Sequence, residues 1–325
     1  MTLKRLGLLM GVIAALMSAA SHAGAAQVTQ VDRPACKYLL KGEIAKGDLE
    51  ELQATEIKYG DSLCLESDGG SYQAGLNIAE YLVGRGIYTV IDRKSHCFSS
   101  CAIIFMAGSE SEEGIQLSLR RMHITAQLGF HAPYVLPPVT SYTSEHIKAA
   151  YAVGLDAVAR MMTLGQNAYG LGEGHIPNRV ILELLKKGPD EVYLVDTVLK
   201  SAELDIQLFG VPKARWAPPE ACNACIVRNG GFSTTDACDR ARTAPSRRVD
   251  KKTVEYTFNG FGAEGASSCV VRVRSEGDKP MRASIVTNTD PEEGPPSGAH
   301  FSQLTDQDAL STAKTFEELT ADFKD

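Results

Sequence analysis

Beyond residue 17 the chain has no apolar run approaching the ~18 or more residues that a membrane-spanning helix needs. It also lacks a surplus of positive charge. Against 33 Lys and Arg stand 40 Asp and Glu, a formal net charge of −7, and no Lys/Arg cluster stands out along the sequence. That balance argues against nucleic acid and anionic membranes as partners. No P-loop and no dinucleotide fingerprint is present, and the Gly-x-Ser-x-Gly elbow of the α/β-hydrolases is missing. The sequence therefore implies neither a cofactor nor a resident metal.

What is present begins at the N-terminus. Lys4 and Arg5 precede an uncharged apolar stretch, Leu6 to Met17, and a small-residue segment, SAASHAGAA. Ser21-His22-Ala23 and Ala23-Gly24-Ala25 both satisfy the small-x-small rule, so residues 1–25 read as a cleaved signal peptide. The working protein is then periplasmic or secreted, with no membrane span after cleavage. Loss of Lys4 and Arg5 leaves it more acidic still. All eight cysteines lie past this segment, and an even number in an exported chain favours disulfides.

Residues 26–213 alternate between two kinds of hydrophobic pattern. Short apolar runs at 37–41, 62–66 and 87–91 read as strands. Ala74, Leu76, Ile78, Ala79 and Leu82 are spaced as one buried stripe of a helix. Residues 97–107 are almost wholly apolar after their start and read as a buried helix. Strand–helix alternation predicts an α/β fold with a parallel sheet and right-handed βαβ crossovers. A strand ends in Gln127 to Pro133. Ser144 is positioned to cap a helix reaching about Leu164, Gly165 to Gly174 read as a loop, and residues 178–187 and 191–195 as a helix and a short strand. Residues 214–290 hold half the cysteines and read as a small disulfide-stapled β-rich module, with Asn259-Gly260 as a hairpin turn. Residues 291–325 read as a polar, acidic, loosely held tail.

Three segments carry candidate chemistry: Ser67-Asp68-Gly69-Gly70, then Cys97-Phe98-Ser99-Ser100-Cys101-Ala102 running to Ala107-Gly108, then Gly129-Phe130-His131-Ala132-Pro133. Their order resembles the Clp protease proteolytic-subunit (ClpP)/crotonase superfamily, over residues 37–210. The match looks nearest to its exported bacterial branch, which shares the Cys-x-Ser-x-Cys helix start and the Gly-Phe-His strand end. The resemblance implies a ClpP/crotonase-like sheet and a serine hydrolase, most simply a peptidase acting on peptides or unfolded envelope proteins. Self-assembly into a homo-oligomer is implied too.

Counted back from Gly108, Ser99 falls on the family's nucleophile position, which makes His131 the general base and Gly69 or Gly70 with Ser100 the oxyanion donors. Such donors suit a serine at a helix N-terminus, where backbone N–H groups stand unpaired. The pattern departs at Asp68, where the family has proline, and its acid has no clear counterpart. Asp190 is the expected third member and Glu183 the other candidate, with His123 as the rival base. The rival function is a peptide-binding or scaffold protein that keeps the fold without the reaction. An acyl-thioester enzyme of crotonase type fits an exported chain poorly.

Cys97 and Cys101 flank Ser99 at i, i+4 and are expected to bridge, as are Cys36 and Cys64 at the edges of neighbouring strands. Cys222, Cys225, Cys238 and Cys269 can be read as a zinc site, but their irregular spacing favours two disulfides of undecided connectivity.

Overall fold

The computed structural model describes residues 25–112, 115–134, 141–166, 174–188, 190–228, 238, 245–261, 267–277, 279–289 and 298–321. Residues 1–24, all but the last residue of the expected signal peptide 1–25, lie outside these. The chain runs β1 (Gln27–Arg33), β2 (Cys36–Lys41), α1 (Asp48–Ala54), β3 (Ser62–Glu66), α2 (Tyr72–Leu82), β4 (Tyr88–Ile91), β5 (His96–Phe98) and α3 (Ser100–Met106). It continues through β6 (Ser109–Glu112), β7 (Ile115–Ser118), β8 (Arg120–His123), β9 (Gln127–Phe130), α4 (Ser144–Thr163), α5 (Asn178–Leu185), β10 (Tyr193–Leu194), α6 (Val198–Glu203) and β11 (Gln207–Phe209). The remainder is α7 (Pro218–Arg228), β12 (Ser246–Arg248), β13 (Thr253–Phe261), β14 (Ser267–Glu276), β15 (Lys279–Thr289), β16 (Ser302–Gln303) and α8 (Phe316–Thr320).

The architecture is mixed α/β, with several sheets. The largest has the order β1-β2-β3-β4-β8-β11. β2 through β11 pair parallel, but β1 closes the edge antiparallel, so the sheet is mixed where the sequence pattern predicts a parallel one. A second sheet, β10-β9-β5, joins β5 and β9 in parallel and β9 and β10 antiparallel. α3 fills the space between. Cys101 through Met106 are each at most 1% exposed, as expected of a helix apolar on every side. The expected helix over 97–107 is shorter because Cys97 and Phe98 extend as β5 before the chain turns at Ser99. The long helix α4 is capped by Thr143, one residue before the serine expected there.

A buried polar cluster sits at the start of β8. Arg120, 4% exposed, donates to the His175 carbonyl at 3.0 Å and to the Ser118 hydroxyl. His175 is 7% exposed, and its Nε2 has no partner among the described residues. Its ring lies on Gly165 so closely that a Cβ there would come within 2.0 Å of His175 Cδ2. Burial, reinforced by the Arg120 charge, drives the imidazole down to about 4. The unfolded chain, titrating near 6.5, then takes up a proton that the folded chain refuses. The stability owed to neutral His175 is full above about pH 6.5 and is lost as pH falls toward 4, at most about 3 kcal/mol. We expect His175→Gln to flatten the decline in unfolding free energy between those pH values. Parallel denaturation curves for the two proteins would count against this burial of the imidazole.

The C-terminal half corrects three expectations. It contains a helix, α7, which packs on β13, β14 and β15. Asn259-Gly260 is no turn: β13 runs through it with a shift of register, and the hairpin to β14 closes further on. Residues 298–321, read as a loose tail, are bound in. Phe316 and Leu310 are buried in the main core, and Phe316 N–H donates to the Asp196 carbonyl at 2.8 Å.

Candidate active site

Parallel pairing brings the three motifs together. Ser67 pairs with Cys97 and Phe98 with Gly129, so the glycine turn, Ser99 and His131 follow the ends of three adjacent chain segments. The Phe98 N–H donates to the Ser67 carbonyl and the Ser99 N–H to the Gly129 carbonyl, both at 3.0 Å. The carboxyl ends of parallel strands, where the chain leaves the sheet, are where α/β folds place ligands.

Ser99 adopts φ 57°, ψ −127°. For a residue with a side chain this is a strained conformation, costing on the order of 1–3 kcal/mol. It makes the sharp exit from β5 into α3. A serine at this point is expected to cap the helix, yet Ser99 makes no capping bond. Ser99 is 7% exposed, and its hydroxyl has no hydrogen-bond partner among the described residues. The adjacent Ser100 is wholly buried, its Oγ also unpartnered. Its side chain faces Gly75 of α2, where a Cβ would come within 2.6 Å of Ser100 Cβ.

The glycines next to Ser99 are required by geometry. Gly69 (φ 101°) and Gly70 (φ 142°) both occupy backbone conformations that side chains rarely adopt. A Cβ on Gly69 would lie 2.5 Å from Ser99 Cβ and 3.0 Å from its Oγ. Ser67 Oγ accepts from the Gly69 N–H at 3.0 Å, which takes Gly69 out of the expected oxyanion pair. Gly70 remains. Ile44 bonds the Gly69 carbonyl and the Ser71 N–H at 2.8 and 2.7 Å, so by strand alternation Gly70's own N–H points to the opposite side, toward β5. Ser100, the first residue of α3, has no intrahelical acceptor for its N–H.

His131 leaves β9 half-buried, one step past the residue level with Ser99. Its Nδ1 lies 2.9 Å from the Ala132 carbonyl, and its ring 5.0 Å from that of Tyr134. In the neutral ring, an Nδ1–H directed at that carbonyl makes Nε2 the acceptor nitrogen. Among the described residues no carboxylate contacts His131, and no hydrogen bond joins it to Ser99. Asp190 lies exposed in the turn before β10, and Glu183 is exposed and paired with Lys186. The rival base, His123, is engaged elsewhere: its Nδ1 is 2.8 Å from Thr125 Oγ1 and its ring packs on Phe209. Asp68, where the turn departs from the family pattern, points to solvent and pairs with His96 at 3.2 Å.

Four disulfides staple the chain: Cys36–Cys64, Cys97–Cys101, Cys222–Cys238 and Cys225–Cys269. No free cysteine remains, so the zinc reading of the C-terminal set falls away and the undecided connectivity is resolved. Such cross-linking is consistent with an oxidising, extracytoplasmic compartment. Among the described residues no helix is long and apolar enough to cross a membrane.

Two depressions border the site. A cleft of about 470 Å³ on the glycine-turn side is lined by Lys41, Glu43, Glu66, Asp68, Gly70 and His96. On the other side a largely apolar groove of about 1000 Å³ runs from Tyr72 and Tyr134 along α4, past Tyr142, Ile147, Tyr151 and Leu155.

Fold and site together define a mixed α/β protein that holds a serine in a strained strand-to-helix turn beside a glycine pair and a histidine. No family model matches the sequence, and no curated protein matches it. Among solved structures, an Asn-to-Asp mutant of ClpP1 from Listeria monocytogenes is similar over 53% of this chain and 89% of its own, at 14% identity and a TM-score of 0.35.

Proposed function

We propose that this chain is an exported serine hydrolase, a ClpP-like peptidase acting on peptides or unfolded protein segments rich in apolar side chains. The observation that carries the reading is the state of Ser99: strained, not capping its helix, and with an uncommitted hydroxyl. Strain of that kind concentrates at functional sites, and a sharp strand-to-helix turn is a recurrent way to present a nucleophile.

In the proposed reaction Ser99 Oγ attacks the substrate carbonyl and passes its proton to His131 Nε2. The Gly70 and Ser100 N–H groups receive the oxyanion. His131 then protonates the departing amine, and water hydrolyses the acyl-enzyme by the same steps. The Ala132 carbonyl fixes the tautomer of His131 that a carboxylate fixes in a full triad. Asp190 makes no contact that assigns it this role. The apolar groove supports the substrate class: it begins beside Ser71 and Pro133, next to both catalytic segments, and offers aromatic and aliphatic walls to an unfolded chain.

That no carboxylate among the described residues contacts His131 favours a second reading, a peptide-binding protein without catalysis. Labelling with a fluorophosphonate probe separates the two. We expect oxidised wild-type protein to be labelled, Ser99→Ala to lose the label entirely, and His131→Ala to react at least ~100-fold more slowly. A folded, fully oxidised wild-type protein that never labels would leave the binding reading in place.

A further inference from the structure

Asp48 is a buried acid that the proposed hydrolysis does not use. It is the first residue of α1, yet only 3% exposed. Its Oδ2 accepts from the Ala45 N–H at 2.8 Å. Among the described residues no cation contacts it. Burial, aided by Glu51 and Glu50 on the same helix, pushes its carboxyl above the usual range, and the N–H groups of Ala45 and Ala26 draw it back only in part. A bond to Ala45 accounts for a local turn. It does not account for enclosing a carboxylate without a counter-charge, which is costly.

The Ala26 nitrogen is the second group that faces this carboxylate. Ala26 is 1% exposed and belongs to the main core. Ala25, before it, is half-buried and makes an isolated parallel bridge with Glu43. The packing here is close, since a Cβ on Gly42 would come within 3.2 Å of the Ala25 carbonyl oxygen and of Ala26 Cα. The Ala25–Ala26 peptide bond is also one of the two that the small-x-small rule marks for signal cleavage. Hydrolysis by a signal peptidase adds water across it. Ala25 departs with the new carboxylate, and the Ala26 nitrogen takes up protons to become an α-ammonium beside Asp48.

We propose that the chain is cleaved after Ala25 and that the α-ammonium of Ala26 then pairs with Asp48, fastening residues 42–45 beneath the glycine turn. Cleavage after Ala23 would leave Asp48 without a cation.

Residues 42–45 are the floor of the candidate site. Ser67 Oγ donates to the Gly42 carbonyl at 2.5 Å. The Ile44 N–H donates to the Gly69 carbonyl at 2.8 Å, and the Ser71 N–H to the Ile44 carbonyl at 2.7 Å. A Cβ on Gly70 would come within 2.3 Å of that last oxygen, so a movement of the floor is passed to the turn beside Ser99. Asp48 holds the far side of this segment through Ala45. The inference rests on the export reading and is independent of the hydrolase reading, because the ion pair forms whether or not Ser99 reacts.

The test uses protein exported with its own signal and purified oxidised. Mass spectrometry is expected to find Ala26 as the first residue. An α-ammonium paired with a buried carboxylate holds its proton more tightly, which leaves less of the neutral amine that reacts with cyanate. Carbamylation of that amine should be at least ~10-fold slower in the native chain than in the guanidinium-unfolded one, and D48N should lose most of this protection. A second chain guards against a D48N protein that does not fold. Begun at Gly24 by release from a fusion partner, it keeps Asp48 but sets the amine two residues away. Its amine should react freely and its Tm should be lower by at least ~3 °C. A first residue other than Ala26, an amine equally reactive in native and unfolded chains, undiminished protection in D48N, or a Gly24 chain as stable as the Ala26 chain would overturn the proposal.

Discussion

Replacing Gly69 by alanine is expected to cost ~2–4 kcal/mol of stability and to slow probe labelling of Ser99 at least ~100-fold. Two effects add. The residue sits at φ 101°, where a Cβ is strained whatever the space. The added methyl also has no room, because it would come within 2.5 Å of Ser99 Cβ and 2.8 Å of the Phe98 carbonyl. Neither neighbour can withdraw cheaply. Phe98 belongs to the β5–β9 ladder, and Ser99 is held by its N–H on Gly129. The strain is relieved by moving Ser99 off its position, and a shift of about 1 Å at a reacting atom can cost ~100-fold in rate. Thermal unfolding and labelling kinetics on one preparation measure both. A variant within threefold of wild type in labelling would show that the close approach of Gly69 to Ser99 has no bearing on reactivity.

The second large effect is expected from Cys97→Ala/Cys101→Ala. The bridge joins the middle of β5 to the first turn of α3, with Ser99 between its ends. Closing so short a loop contributes roughly 2 kcal/mol, comparable to the ~1–3 kcal/mol stored in the Ser99 backbone. Without the bridge that backbone can relax, and labelling should fall ~10- to 100-fold. The control is Cys36→Ala/Cys64→Ala. Its loop of 28 residues is longer, so removing it should cost more stability, roughly 3–4 kcal/mol, yet spare the labelling rate. If both pairs slow labelling in proportion to stability lost, the Cys97–Cys101 bridge is a general staple and has no particular hold on the nucleophile.

Much of the first half was legible because its signals are local. The apolar runs at 62–66 and 87–91 and the helical stripe from Ala74 to Leu82 have periods that only strands and a helix satisfy, and they appear as β3, β4 and α2. The convergence of Ser99, the glycine turn and His131 could be anticipated from their order along a strand–helix alternation. The conformation of Ser99 could not, since serine is an ordinary helix cap and nothing in Cys-Phe-Ser-Ser-Cys forbids one. That the Gly69 N–H is already taken was equally hidden, because it depends on Ser67 turning its hydroxyl toward Gly69.

In the second half the signals were long-range. Asn259-Gly260 has the chemistry of a turn, but pairing with β14 carries the strand past it. The polarity of residues 298–321 hides Leu310 and Phe316, two apolar side chains that find partners far back in the chain.

That late segment bears on when the interior around Ser99 can be complete. Gln307 bonds the backbone of Ile206 and Leu208, Val198 and Leu199 donate to Lys314 and Thr312, and Phe316 completes the core that surrounds α3. The nucleophile turn is thus built early in the chain but closed by residues supplied near its other end. During synthesis, the serine-bearing half has to wait for the last of these residues before its interior is sealed. Under the proposed hydrolase reading, a chain assembled in that order gains its activity only once this late segment is in place.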